Sequence, residues 1–411
     1  EKALARAAGL ATAHAGDVLD VAPDVILSHD NSAAILKIFN EIHAPGLAYP
    51  ERIAMTLDHA VPAPTTLHAQ NHAEIRAFAA AFGLRLFEIG RGICHQVLSE
   101  EGLVLPGETV FGADSHTTHF GWLGAFGMGI GRTEVAALWA TGRLWIRVPE
   151  TLRIELTGRI PRGVRAKDIA LAILNRWTVE GAEYRAIEFT GDAIADIPLD
   201  DLPVIPNMMA EFGAMSAYIA PNATVLEYVR ARAKRAFTPL YPDMGAIYSE
   251  TVTVDVSALE PLVACPHQPD NVRAVSALSG TPIHQAFIGT CTGGRYSDLA
   301  AAADIVRGQH LKARLIVIPA SAQVLSRALE TGVLGTLIAA GAAIGTPGCG
   351  PCMGNHMGVP ASAESTISTG SRNFKGRMGT ADAPVYLANA AVVAASAVAG
   401  VIVNPSEIEA P

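Results

Sequence analysis

Three cysteines late in the chain have the types and spacing for chemistry. Cys291 sits in Ile-Gly-Thr-Cys-Thr-Gly-Gly-Arg (288–295), and Cys349 and Cys352 sit in Pro-Gly-Cys-Gly-Pro-Cys-Met-Gly (347–354), a C-x57-C-x2-C spacing. Glycine, proline and threonine surround all three and place them on turns, not inside elements. Three thiolates are one too few for a closed tetrahedral zinc site or for a four-cysteine iron–sulfur cluster. A cubane held by three protein sulfurs keeps one iron open, and an open iron is a Lewis acid able to grip a hydroxyl and a carboxylate. Cys-Gly-Pro-Cys is also the pattern of a dithiol redox pair, and a lone C-x-x-C is weak evidence for a metal. Such a pair normally follows the first long strand of a small βαβ domain, whereas this one begins at residue 349. Zinc and structural thiols are further readings. Cys94 and Cys265 have no cysteine neighbours, and packing is the expectation for both.

A second constellation lies at the other end. Nine of the thirteen histidines precede residue 120, and several adjoin an aspartate: His29-Asp30, Asp58-His59 and Asp114-Ser115-His116, with His95 in Gly-Ile-Cys-His-Gln. Each follows or ends an expected strand, at 26–27, 54–57, 84–89 and 110–113. In parallel α/β sheets, ligand sites form outside the carboxyl ends of strands. A carboxylate beside such a histidine orients the imidazole and raises its basicity, so the pattern suggests acid/base relays. Any one of them alone reads as a hydrogen-bonded structural histidine. A non-haem metal site also fits histidine with aspartate.

Two loops complete the set. Ser371-Arg372-Asn373-Phe374-Lys375-Gly376-Arg377 packs three cations beside a glycine, suited to bidentate capture of carboxylates. Arg295, four residues past Cys291, is a candidate to join it. The glycine-rich run 121–131 has the spacing G-x-G-x-G and not G-x-G-x-x-G, so a dinucleotide site is disfavoured. Close backbone approach to a bulky ligand or to the cluster accounts for those glycines equally well.

The elements that must position these residues follow an α/β rhythm. Apolar runs of strand length (24–28, 84–89, 110–113, 286–289, 315–319) alternate with helical periods (71–82, 133–141, 166–175, 297–306, 322–330). At 411 residues the chain exceeds one ordinary core, and two or three domains are expected. Seams fall near 147–152 and 266–283, giving units 1–148, 149–283 and 284–411. Half the residues are apolar but only 6% are aromatic, a composition for close helix-on-sheet packing. A net charge of −9 with no basic block argues against nucleic acid. Five cysteines fit a reducing, cytoplasmic setting. The first residues read as a mixed-charge helix and not a signal peptide. The uncharged stretch 383–406 is alanine-rich and interrupted by Pro384, Asn389 and Gly400, so a buried helix is expected and no membrane association.

Together these pieces resemble the aconitase superfamily, in particular large subunits of the 3-isopropylmalate dehydratase and homoaconitase type. The matching runs are Ser-His-Asp-Asn (28–31), Asp-His-Ala-Val-Pro (58–62), Gly-Ile-Cys-His-Gln (92–96) and Gly-Ala-Asp-Ser-His-Thr (112–117). Ala-Ile-Glu-Phe (186–189), Gly-Thr-Cys-Thr (289–292), Pro-Gly-Cys-Gly-Pro-Cys (347–352) and Arg-Asn-Phe-Lys-Gly-Arg (372–377) continue them in the family's order. The resemblance implies three α/β/α domains with mainly parallel sheets, lacking the swivelling fourth domain. It implies one [4Fe-4S] cluster held by Cys291, Cys349 and Cys352, with one iron not ligated by protein. It implies acid/base and relay pairs Asp58 with His59, Asp114 with His95, and Glu188 with His116. Arg372 and Arg377 match the carboxylate-binding arginines, with Ser371 and Arg295 beside them. The implied reaction is reversible dehydration and rehydration of a small hydroxy-diacid. Its base is a serine on the swivelling domain, and 411 residues leave no room for that domain, so a separate small subunit is expected and the chain alone is expected to be inactive. Gly293 and Ser371 stand where the family usually has asparagine. That departure keeps open a paralogue acting on a smaller diacid such as maleate, citraconate or dimethylmalate. A cluster-sensing RNA-binding regulator is a different class, and the acidic charge argues against it.

Overall fold

The computed structural model describes residues 1–408. Its first sheet has the order Arg85–Phe87, Ile53–Thr56, Val25–Ser28, Thr109–Gly112, Phe126–Gly129, all parallel. The three central strands are buried at every position, as a parallel sheet covered on both faces requires. Helices such as Thr66–Phe82 and Arg132–Thr141 cover it, and Trp139 stacks on Phe78 with ring centroids 5.3 Å apart. From Val25–Ser28 the chain walks outward to Arg85–Phe87, then returns to lay Thr109–Gly112 on the opposite side. That reversal leaves a crevice at the carboxyl ends of the two neighbouring strands.

A third sheet repeats the device. Its order is Val272–Ala274, Leu262–Ala264, Val385–Ala388, Thr366–Ser368, Gln285–Ile288, Arg314–Val317, Ala343–Ile344, parallel except at the first three strands. Here the direction reverses between Gln285–Ile288 and Thr366–Ser368. Because Leu262–Ala264 pairs with Val385–Ala388, this sheet begins ahead of the seam expected at 283/284. Between these two sheets in sequence lies a parallel four-stranded one, Ser216–Ile219, Ala186–Thr190, Thr151–Thr157, Glu250–Asp255. The uncharged stretch becomes the strand Val385–Ala388 and the largely buried helix Ala390–Ala399. No described helix is long and apolar enough to cross a membrane.

Two glycines of the run 121–131 make room for protein backbone. A Cβ at Gly121 would collide with the Ala217 carbonyl, and one at Gly127 with the Thr117 carbonyl. These absences of side chain let the 3-10 segment Ser115–Leu123 lie between the strand Phe126–Gly129 of the first sheet and the strand Ser216–Ile219 of the four-stranded one. Gly121→Ala is therefore expected to lower stability by about 3 kcal/mol through overpacking, measured by urea unfolding of the chain. A variant as stable as the parent would show that the contact yields.

Candidate active site

Both strand reversals deliver their following loops to one cavity of about 340 Å³. After Val25–Ser28 come His29 and Asn31; after Ile53–Thr56, His59; after Thr109–Gly112, Asp114, Ser115 and His116. From the third sheet, Cys291 follows Gln285–Ile288, and Ser371 and Arg372 follow Thr366–Ser368. Cys349, Cys352, Met353 and Arg377 line the same space, as does His95 near the start of the helix Cys94–Glu100. Backbone bonds hold the two halves together: Cys349 N donates to Asp58 O at 2.8 Å, and Ile93 N to Ala320 O at 2.8 Å.

Asp114 is the hub. Its carboxylate lies 3.3 Å from His59 Nε2, 3.5 Å from His95 Nε2, 3.6 Å from His116 Nδ1 and 3.8 Å from His29 Nε2. Burial opposes its charge, but hydrogen bonds from His116 and His59 and the nearby imidazoles hold it well below the usual carboxylate range. His59 Nδ1 also meets Asp58 Oδ1 at 2.7 Å, while the other Asp58 oxygen accepts from Cys94 N at 2.7 Å. Burial opposes a charged His59; the Cys349 sulfur and the carboxylates Asp58 and Asp114 outweigh it and raise the imidazole well above its ordinary value. His29 stacks on that ring with centroids 3.8 Å apart. His95 is the opposite case: burial lowers it to about 4, so it is a neutral imidazole. One buried cavity thus holds a protonated and a neutral histidine around a single anion, the separation that acid and base roles need.

Asp30, which sequence reading singled out beside His29, lies under the site. It accepts from the amides of Asp58 and His59 at 2.9 and 2.8 Å, from Ala60 N at 3.1 Å and from His72 Nε2 at 2.9 Å. It fixes the loop that carries the Asp58–His59 pair.

Two expected site residues lie elsewhere. Glu188 is not beside His116. It sits in the middle of the strand Ala186–Thr190, accepts a bond from Tyr248 Oη at 2.7 Å, and lines a separate cavity with Tyr218 and Tyr241. Glu211 takes the place expected of it: His116 Nε2 meets Glu211 Oε1 at 2.8 Å, and Arg372 Nε donates to the same oxygen at 2.6 Å. Arg295 does not reach the cavity either. Its guanidinium spends itself on Asp298 Oδ2 at 2.7 Å and on the carbonyls of Cys291 and Thr292 at 3.1 Å each, bracing the cysteine loop from behind. Arg372 also donates to Ser115 Oγ at 2.8 Å.

Sequence reading missed Glu211 and Asn207. They are four residues apart in the otherwise apolar run Val-Ile-Pro-Asn-Met-Met-Ala-Glu-Phe (204–212), and both are buried. Two buried polar residues one helical turn apart were the available signal. Asn207 Oδ1 faces Cys291 Sγ at 3.6 Å, and its amide nitrogen meets His119 Nδ1 at 3.1 Å.

Several groups around the cavity have unspent polarity. His95 Nε2, His29 Nδ1 and Arg377 Nε are buried without a hydrogen-bond partner, while Arg377 Nη2 approaches Cys352 Sγ at 3.6 Å. Buried orphan donors of this kind mark a ligand position. Burial raises the Cys291 thiol to about 12 and pushes Cys349 up as well, with His59 pulling the Cys349 sulfur the other way. Three cysteine sulfurs converging beside His59, Arg372 and Arg377 suit a metal centre. They do not suit a freely exposed redox dithiol.

Comparisons agree with this geometry. A family model described as aconitase family (aconitate hydratase) matches residues 3–281 and 275–400. The chain is 46% identical over 409 residues to the 3-isopropylmalate dehydratase large subunit 1 of Methanopyrus kandleri, covering 98% of each chain. It is 46% identical over 415 residues to a probable methanogen homoaconitase large subunit of Methanothermobacter thermautotrophicus, covering 99% of this chain and 97% of that one. It is 45% identical over 399 residues to the homoaconitase large subunit of Thermus thermophilus, covering 96% and 94%.

Proposed function

Since the chain belongs to the aconitase family, we propose that it is the large subunit of a hydro-lyase that dehydrates and rehydrates a hydroxy-diacid of the 3-isopropylmalate or homocitrate type. The observation that carries this reading is the convergence of three cysteines, an Asp114-centred histidine cluster and two arginines on one cavity. Enzymes of this family bind a [4Fe-4S] cluster. Cys291, Cys349 and Cys352 are the residues that would hold it here, and when bound it supplies a Lewis acid for the substrate's hydroxyl and carboxylate. Arg372 and Arg377 bind the substrate's carboxylates. His59, held protonated between Asp58 and Asp114, donates its Nε2 proton to the departing hydroxyl. Neutral His95 and the His116–Glu211 pair orient Asp114 so that its charge stays on the His59 side. The carbon-bound proton goes to a serine base on the swivelling domain of a small subunit.

The test is anaerobic loading with iron and sulfide, followed by a panel of 2- and 3-hydroxy diacids watched for enoate absorbance, with and without the small subunit. Loaded protein with the small subunit is expected to turn over. The loaded chain alone is expected to be at least ~100-fold slower for want of its base. Turnover only of C4 or C5 diacids would move the substrate to the smaller class. A broad cluster spectrum with no turnover of any diacid would overturn the proposal.

A further inference from the structure

Behind the cysteine loop sits a buried cation that the mechanism above does not use. Lys167, at the start of the helix Ala166–Trp177, is 2% exposed. Its Nζ donates to Thr292 Oγ1 at 3.1 Å, to Thr369 O at 2.6 Å and to Gly370 O at 2.7 Å. Thr292 gives its own hydroxyl proton to Thr369 O at 2.8 Å, so its oxygen faces Lys167 as an acceptor. Three acceptors around one nitrogen require three protons on it, which only an ammonium has. Neighbouring cations have carboxylates of their own, Arg295 with Asp298 at 2.7 Å and Arg165 with Asp201 at 2.9 Å. Among the described residues Lys167 has no carboxylate within ion-pair distance, and it spends its charge on a hydroxyl and two carbonyls.

Its three partners belong to the two loops that build the catalytic wall. Thr292 adjoins Cys291, and Thr369 and Gly370 lead directly into Ser371 and Arg372. Thr369 ties the same loops again, bonding both Gly289 N and Gly289 O through its hydroxyl at 2.9 Å. The packing leaves no slack: a Cβ at Gly293 would collide with the Thr369 side chain, so the glycine lets the two loops approach this closely. A lone buried ammonium is unfavourable to isolate, and burial together with Arg295 lowers it to about 7. The Asp298 carboxylate, and after it the Cys291 and Cys352 sulfurs, oppose that penalty in part.

We propose that Lys167 is a positioning residue that clamps the Cys291 loop to the segment bearing Ser371 and Arg372 and serves as a buried positive charge behind the Cys291 and Cys352 sulfurs. The inference rests on the functional reading above, and its test separates the two. Wild type, Lys167→Met and Lys167→Gln are loaded anaerobically as the two-subunit enzyme. Folding is checked by thermal unfolding, and the cluster's midpoint potential is read by spectroscopically monitored redox titration. Loss of the positive charge is expected to disfavour reduction at least tenfold, a fall of about 59 mV for one electron. Should Lys167→Met not fold, Lys167→Gln carries the measurement, since its amide keeps two donors without the charge. A folded variant holding a cluster at the wild-type potential overturns the assignment of Lys167. Failure of the wild type to take up any cluster instead overturns the functional reading.

Discussion

Glu211→Gln is expected to lower kcat by about 10²–10³-fold, whereas Glu188→Gln leaves it within about twofold. The glutamine has the same shape but no charge, and the carboxylate it replaces is shared by His116 Nε2 and Arg372 Nε. Buried hydrogen bonds and charges hold Glu211 ionised below its ordinary range despite its desolvation. Without it, the half-buried guanidinium of Arg372 loses its counter-charge next to the substrate position, and His116 loses the acceptor that fixes its ring. Glu188 sits on another sheet strand, bonded to Tyr248, so its loss does not reach the cavity. Steady-state kinetics at matched iron and sulfide content decide the matter. A larger loss for Glu188→Gln than for Glu211→Gln would show that the relay runs through a rearrangement this structure does not contain.

That contrast marks how far the sequence could be read. Asp58-His59 and Asp114-Ser115-His116 were legible because acid and histidine are neighbours in the chain, and the strand before each was a continuous apolar run. The cysteines were legible because their turn-forming neighbours exclude them from elements. Glu211 was not, because its partner His116 is 95 residues away and the pairing is set by how the 3-10 segment Ser115–Leu123 packs on the segment 204–212. Lys167 was hidden for the same reason, its acceptors lying 125 to 203 residues away. Arg295 misled by proximity. Four residues past Cys291 it caps the helix Tyr296–Val306, and the helix pulls its side chain behind the loop instead of over it. The fold class followed from alternating strand and helix periods. The join of Leu262–Ala264 to Val385–Ala388 had no local signal, since antiparallel pairing of such short strands is decided by tertiary contact.

Asp114→Asn is expected to lower kcat by about 10³-fold and to move the alkaline limb of the pH–rate profile to lower pH. The argument turns on a sign. His59 must be protonated to donate, so activity is lost as pH rises through its pKa. Burial pulls that pKa down; the Cys349 sulfur, the Asp58 charge and the hydrogen bonds to the Asp114 and Asp58 carboxylates push it up. Removing the Asp114 charge takes away one of the upward contributions, and the range over which His59 is a competent acid shrinks from above. Asp58 remains at 2.7 Å from Nδ1, so the tautomer survives and the residual rate is not zero. The same substitution deprives His95, His116 and His29 of their shared anion. Those contacts lie at 3.5 to 3.8 Å, and their loss is felt more in orientation than in charge. An unmoved alkaline limb in a cluster-loaded, folded Asp114→Asn enzyme would remove His59 from the role of acid, leaving neutral His95 as the group through which the proton must pass.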